Sequence, residues 1–349
     1  MPTIKLSKRP NLPPGFPDHM KTLFSVFLTF ALGGSALSQT IPRREENPIP
    51  AVVENIYTRG LRYLASSQSE KGAWNDNRSG NEPGVVGLAV MAFLAHGEDP
   101  NHGPYAENIE RGINFILGEQ DERNGYIGNS MYSHGFATLA LAECYGMYRD
   151  ERIAPALKKA VDLILSAQKR NPRGGWRYSP DDMTADTSVA GCQLVALYAA
   201  RNAGIPVPDA AFAKAHKYMR SCRGANGGYG YQSAMGERVT LTAIGVLCES
   251  LAKKQGDQLY KASAKYLAKN LDHRERHYTY YFEYYMAQAL FHSDEEAWRA
   301  WDAKNVQILS TLQGPDGSFP EANHGKAFST AGSLLSLALN YRFLPIYEK

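Results

Sequence analysis

The stretch Tyr63-Leu64-Ala65-Ser66-Ser67-Gln68-Ser69-Glu70-Lys71-Gly72-Ala73-Trp74 decides the fold, because its grammar returns along the whole chain. A helix-forming run ends at a glutamine, a glycine follows within a few residues, and an aromatic residue comes just after. Phe115-Ile116-Leu117-Gly118-Glu119-Gln120 leads to Gly125-Tyr126, and Leu163-Ile164-Leu165-Ser166-Ala167-Gln168 leads to Gly174-Gly175-Trp176. Ile308-Leu309-Ser310-Thr311-Leu312-Gln313 leads to Gly317-Ser318-Phe319. Tyr218-Met219-Arg220-Ser221-Cys222, before Gly227-Gly228-Tyr229, puts Cys222 in the glutamine place. Tyr266-Leu267-Ala268-Lys269-Asn270, before Tyr278, is a degenerate copy. Positions 68, 120, 168, 222, 270 and 313 thus recur about every fifty residues, a period that signals a repeat architecture.

Each unit predicts a helical hairpin. Its first helix is amphipathic: in the fifth unit Leu259, Ala262, Tyr266 and Leu267 share a face while Lys261, Lys265 and Lys269 lie elsewhere. A glycine turn then ends the helix. The second helix is apolar nearly all round, over 85–95, 136–145, 189–199, 241–251 and 330–339. A helix with no polar face has to be buried on most sides. The expected architecture is therefore all-α, with second helices as an inner ring and first helices as an outer one. The glutamine amide is expected to staple the joint by bonding the carbonyls that end its own helix and the amides that open the next. Trp74 and Trp176 are expected to pack across it. An open solenoid would need polar caps at its ends, and the chain carries none. The tail Tyr341-Arg342-Phe343-Leu344-Pro345-Ile346-Tyr347 is too apolar to be left loose and is expected to lie across a closing seam. Residues 51–349 are thus read as an (α/α)6 toroid of six helical-hairpin repeats.

The N-terminus has its own signature. After Met20-Lys21, the apolar run Leu23 to Leu32 meets Gly33-Gly34, then small residues at Ala36 and Ser38 before Gln39. This is the pattern of a cleavable export signal over 20–38, shorter than the ~20 apolar residues a bilayer span needs. Residues 1–19 read as an extended leader or a misplaced start, and the proline-containing stretch 39–50 as a linker. The mature chain is expected to be periplasmic or extracellular, cleaved near Ser38-Gln39, with no stable membrane span. Of 349 residues 44% are hydrophobic and 21% charged, and the net charge is +3. That is ordinary globular composition, and no Lys/Arg cluster interleaved with aromatics points to nucleic acid. Cys144, Cys192 and Cys248 fall inside apolar helices and Cys222 at a helix end, without metal-ligand spacing. They are read as buried free thiols, and no metal or cofactor is expected.

The Gln-to-Trp staple on a six-fold α/α repeat resembles the QW motif of squalene cyclases, oxidosqualene cyclases and protein prenyltransferase β-subunits. The likeness covers about 51–347 and is closest to exported bacterial single-domain prenyltransferase/squalene oxidase repeat proteins of undefined function. It implies a toroid with a central cavity at the inner-helix N-termini. It does not carry the chemistry over. The cyclase motif Asp-x-Asp-Asp-Thr-Ala is matched best by Met183-Thr184-Ala185-Asp186-Thr187-Ser188, where Ala185 stands in the proton donor's place. In the prenyltransferase zinc triad, Ser188 and Ser329 stand where Cys and His are needed. Cys192-Gln193 lack the spacing of a thioester, and nothing points to cobalamin.

The polar residues expected around such a cavity are His134, Asp186, Glu237, Arg238, Tyr281, Glu283 and His324. Arg238, Tyr281, Tyr284 and His324 are the ligand-binding candidates: a cation beside helix N-termini attracts anions, and phenols stack on sugars or isoprenoids. Asp186, Glu237 and His134 are the weaker acid/base candidates, and Asp186 also suits an N-cap. Two functions follow. The first is an exported binding or interaction module for an apolar, isoprenoid-like or glycan ligand, or for an envelope protein. The second is a secreted lyase, hydrolase or divergent terpenoid-type enzyme using the carboxylates at the mouth.

Overall fold

The computed structural model describes residues 48–76, 78–321 and 324–347. The leader, the export signal and all but the last residues of the linker lie outside them. Helices with one apolar stripe alternate with helices that have no polar face. The first kind are α1 (Ala51–Ser67), α3 (Ala106–Gly118), α5 (Ile153–Arg170), α7 (Asp209–Ser221), α9 (Gln258–Ala268) and α11 (Glu295–Leu312). The second kind are α2 (Pro83–His96), α4 (Met131–Cys144), α6 (Thr187–Asn202), α8 (Val239–Leu251), α10 (Thr279–Ser293) and α12 (Gly325–Leu337). In α2 every residue from Pro83 to Ala95 is buried, whereas α1 buries only Val53, Ile56, Tyr57, Gly60, Leu61 and Leu64. Among the described residues there is no strand, and no helix is long and apolar enough to cross a membrane.

The even-numbered helices pack each on the next, and α12 returns to α2, so the inner ring closes. Each odd-numbered helix lies mainly against the inner helix before it, and α1 accordingly sits on α12. The result is the expected α/α toroid. All four cysteines are buried and free.

The turn motif ties the outer layer together. Gln68 Nε2 donates to Gly72 O in its own turn and to Asn108 O in α3, both at 3.0 Å. Gln120 does the same to Gly125 and Ala156, Gln168 to Gly174 and Ala211, and Gln313 to Gly317 and Ile56. The last pair bridges the seam between α11 and α1. This corrects the expected staple: the amide reaches sideways to the neighbouring outer helix, while the indoles of Trp74 and Trp176 bond carbonyls of their own helices, Leu64 and Ile164. The fourth unit is also corrected. Arg223, not Cys222, takes the glutamine place: it pairs with Tyr229 as Gln68 pairs with Trp74, and its Nε reaches Ser263 in α9 at 3.0 Å. A net gain of ~1 kcal/mol per hydrogen bond makes each staple a modest local contribution, repeated around the ring.

The tail crosses the seam and then caps one end of the ring. The Tyr341 ring packs on Tyr57 at 4.8 Å and on His96 at 4.9 Å, and its hydroxyl donates to Glu54 Oε2 at 2.9 Å. Beyond it, Leu344, Ile346 and Tyr347 are buried; the turn Pro345–Tyr347 packs on α6, and Ile346 N lies 3.5 Å from Glu143 Oε2. His96 and Glu143 sit at the last turns of α2 and α4, so the tail covers the face where inner helices end.

Candidate functional site

The opposite face, where the inner helices begin, holds a cavity of about 620 Å³. The repeat itself builds its rim. The residues immediately preceding the six inner helices are Glu82, Ser130, Asp186, Arg238, Tyr278 and His324. Five of them line the cavity, and Asp186 lies just behind its wall. Ser130 and Asp186 cap their helices, accepting from Ser133 N and Val189 N. The floor is apolar, formed by Val85, Leu88, Phe136, Leu241 and Phe328 with the ring of Tyr281.

Asp186 is the centre of a hydroxyl network. Fully buried, it accepts from Val189 N and Ser188 Oγ at 2.9 Å and from Tyr231 OH at 3.2 Å, with Arg177 Nε 3.9 Å away. Tyr231 in turn is hydrogen-bonded to Tyr178, and Ser188 to Tyr132 at 2.5 Å. Burial lifts the Asp186 carboxyl above its ordinary range, while these donors and Arg177 oppose the shift. Two further carboxylates line the cavity: Glu82, which accepts from Ser133 Oγ at 3.0 Å and Asn129 Nδ2 at 3.2 Å, and Glu275, which accepts from Thr240 Oγ1 at 3.1 Å.

The structure brings some of the expected residues together and disperses others. Arg238, Tyr281 and His324 line the cavity. His324 Nδ1 stands 3.3 Å from Ser79 Oγ, and burial lowers its pKa. Tyr284 lies beneath the floor, edge-on to Phe136 at 6.1 Å and to Tyr285 at 4.9 Å. Glu237 turns away from the cavity onto the Gly224–Gly228 turn, its carboxylate where a Cβ on Gly224 would fall. Glu283 is buried in α10 and off the cavity wall. His134 is fully buried, accepting from Ile127 N through Nδ1 at 3.1 Å and donating from Nε2 to Ala160 O at 3.0 Å. Thr242 accepts from Tyr229 N and Thr330 from Phe319 N in the same way, so His134 belongs to the staple. Burial pushes its pKa down to about 4 and keeps it neutral. Sequence reasoning missed Glu82, Glu275, Tyr132, Tyr178 and Tyr231. The signal for Glu82 was available: it holds the same repeat position as Asp186 and Arg238. Among the described residues, no group of three or more His, Cys, Asp or Glu could hold a metal ion.

The family model described as Domain of unknown function (DUF6288) matches residues 53–338. The chain belongs to this family. No curated protein matches it. Several solved structures share its fold at low identity. The type II terpene cyclase MstE from Scytonema is 15% identical, with 85% of this chain and 100% of that chain covered at a TM-score of 0.59. Cellobiose 2-epimerase from Bacillus thermoamylovorans B4167 is 10% identical over 82% of this chain and 99% of that one, at 0.62. A family 76 glycoside hydrolase from a bovine Bacteroides thetaiotaomicron strain is 9% identical over 82% and 77%, at 0.60. At these identities the likeness of the DUF6288 chain to all three is one of fold, and function has to be argued from the site.

Proposed function

We propose that this toroid is an exported binding module whose cavity, at the inner-helix N-termini, takes a polyhydroxylated, sugar-like ligand. The observation that carries this reading is the composition of the cavity wall: phenols Tyr132, Tyr178, Tyr231, Tyr278 and Tyr281 beside the carboxylates Glu82 and Glu275. Phenol rings stack on the apolar faces of a pyranose, and carboxylates accept from its hydroxyls. A volume of about 620 Å³ is within the range of small-molecule sites. Two proteins of similar fold, the cellobiose 2-epimerase and the family 76 glycoside hydrolase, are sugar enzymes, which favours the same ligand class. The apolar floor under the phenols favours a second reading, an isoprenoid-like ligand. The repeated Gln–Gly–aromatic turn supports kinship with QW-motif repeat proteins, and export rests on the sequence of residues 20–38.

The test is calorimetric titration of the mature chain with cellobiose, mannobiose and chitobiose, and with geranylgeraniol in micelles. At least one disaccharide is expected to bind with Kd near or below about 1 mM, and geranylgeraniol is not. Binding of geranylgeraniol alone, or of neither class, overturns the proposal. Product release on prolonged incubation with the bound disaccharide would replace the module with the enzymatic reading, in which Glu82 and Glu275 are the accessible carboxylates.

A further inference from the structure

The hydrogen-bond directions around Asp186 determine what the cavity wall offers a ligand. Ser188 has one hydroxyl proton and gives it to Asp186 Oδ1. The bond between Tyr132 and Ser188 must therefore be donated by Tyr132. Tyr231 gives its only hydroxyl proton to Asp186 Oδ2. The bond between Tyr178 and Tyr231 must then be donated by Tyr178. Two chains, Tyr178 to Tyr231 and Tyr132 to Ser188, thus run inward and end on one carboxylate. Their outer members are neighbours on the cavity wall, with ring centroids 6.2 Å apart. Both have committed their protons to the interior, so toward the cavity their oxygens have only lone pairs to offer.

We infer that Tyr178 and Tyr132 form a two-oxygen acceptor clamp, its polarity set by Asp186, that selects ligands presenting a pair of hydrogen-bond donors, such as vicinal hydroxyls. Asp186 acts here as a positioning residue, behind the wall and through the phenols. The loops carrying the clamp are held independently of it: Tyr178 O accepts from Met131 N and Tyr231 O from Thr187 N, each at 2.8 Å. The Arg177 guanidinium lies 5.2 Å over the Tyr178 ring and fixes its plane. The inference rests on the sugar reading above and sharpens it, since an isoprenoid has no donors for such a clamp.

The experiment uses the disaccharide that binds best and its monodeoxyfluoro analogues, in which fluorine replaces a donor by a group unable to donate. The wild-type chain is expected to lose at least about tenfold in affinity for the analogue fluorinated where the hydroxyl meets Tyr178, because the phenol oxygen is then left without a donor. In Asp186→Asn the carboxamide oxygen still accepts from Val189 N and Ser188. Its NH2 must donate to Tyr231, so Tyr231 donates to Tyr178 and the Tyr178 proton is released toward the cavity. That variant is expected to bind the same fluoro analogue at least as well as the parent sugar, while discrimination at the Tyr132 position persists. Tyr178→Phe, at a half-exposed ring, should abolish the Tyr178 discrimination without reversing it. Tyr231→Phe cuts the same chain and serves if Asp186→Asn fails to fold. If the wild type binds a disaccharide but discriminates as these variants do, the clamp is wrong and the sugar reading stands. If no disaccharide binds the wild type, the sugar reading itself falls, and the clamp with it.

Discussion

At neutral pH the Glu283 side chain holds a proton. It is 2% exposed, burial pushes its pKa from 4.5 up to about 8, and the Arg274 charge only partly offsets that. A raised carboxyl pKa stabilises the fold fully below the unfolded value, and that contribution is lost as pH rises toward the folded one. Between about pH 4.5 and 8 the native state binds the proton more tightly than the unfolded chain, so stability falls by on the order of a few kcal/mol. Glu283→Gln stays neutral throughout. The melting temperature of the variant relative to the wild type should therefore rise from pH 5 to pH 9, and a difference that does not change with pH would refute the assignment. His134, and Asp302 in α11, whose pKa burial raises to about 6, are present in both proteins and cancel in the comparison. This residue also marks what a sequence can say about a site. Glu283, His134 and Asp186 all stood near predicted inner-helix starts, and that placement was right to within a turn. Which way each points depends on a helix's rotation about its axis, set by packing against two neighbours, and one chain's pattern of residue types does not carry that angle. His134 does for the turn what Thr242 and Thr330 do, but it stands 7 residues after Ile127 where they stand 13 and 11 after Tyr229 and Phe319, so its place in the staple was not legible in the spacing either.

At the scale of the element, the glycine turn makes two demands that can be separated. Gly317 has φ +87°, and a Cβ there would fall 2.3 Å from Arg59 O on α1. Gly204 has φ +86° with open space around it. Alanine at either position incurs the left-handed backbone penalty of roughly 1–2 kcal/mol, but only at 317 must it also push a neighbouring helix aside. Urea denaturation should give Gly204→Ala a loss of roughly that size and Gly317→Ala at least about twice as much. Equal losses would mean that the turn needs glycine for its dihedral alone. The dihedral was legible in the sequence, since a glycine after a helix-ending glutamine is a familiar stop. The close approach was not, because Arg59 lies more than two hundred residues away and joins Gly317 only once the ring is closed. The same limit displaced the fourth unit by one residue: Cys222 aligns by eye, but the pairing of Arg223 with Tyr229 and its reach to Ser263 is a contact between hairpins.

At the scale of the whole molecule, the two ends of the inner ring are used differently. The face where helices begin is lined by unlike side chains at equivalent repeat positions, which is how a symmetric scaffold acquires an asymmetric site. The face where helices end is closed by residues 341–347, and because the ring has no free terminal repeat it needs none of the polar caps of an open array. The tail's apolarity announced that it would be covered; its path over α4 and α6 did not follow, since seven residues carry too little pattern to choose a surface. Ending the chain after Arg342 removes Leu344, Ile346 and Tyr347, each buried. At roughly 1.5–3 kcal/mol for a fully buried apolar side chain the loss should reach several kcal/mol. The stability loss should also be polar in space. Hydrogen exchange should accelerate at the ends of α2, α4 and α6, where Gly97 loses Phe343 and where Glu143 and the α6 surface lose the turn Pro345–Tyr347, while Tyr341 stays on His96. It should stay near wild-type rates in the first turns of the same helices, around the cavity. Disaccharide affinity, measured well below the lowered melting temperature, should then be unchanged. Acceleration spread evenly along the inner helices would mean instead that the tail holds the ring closed as a whole, and that the binding face and the capped face are one cooperative unit.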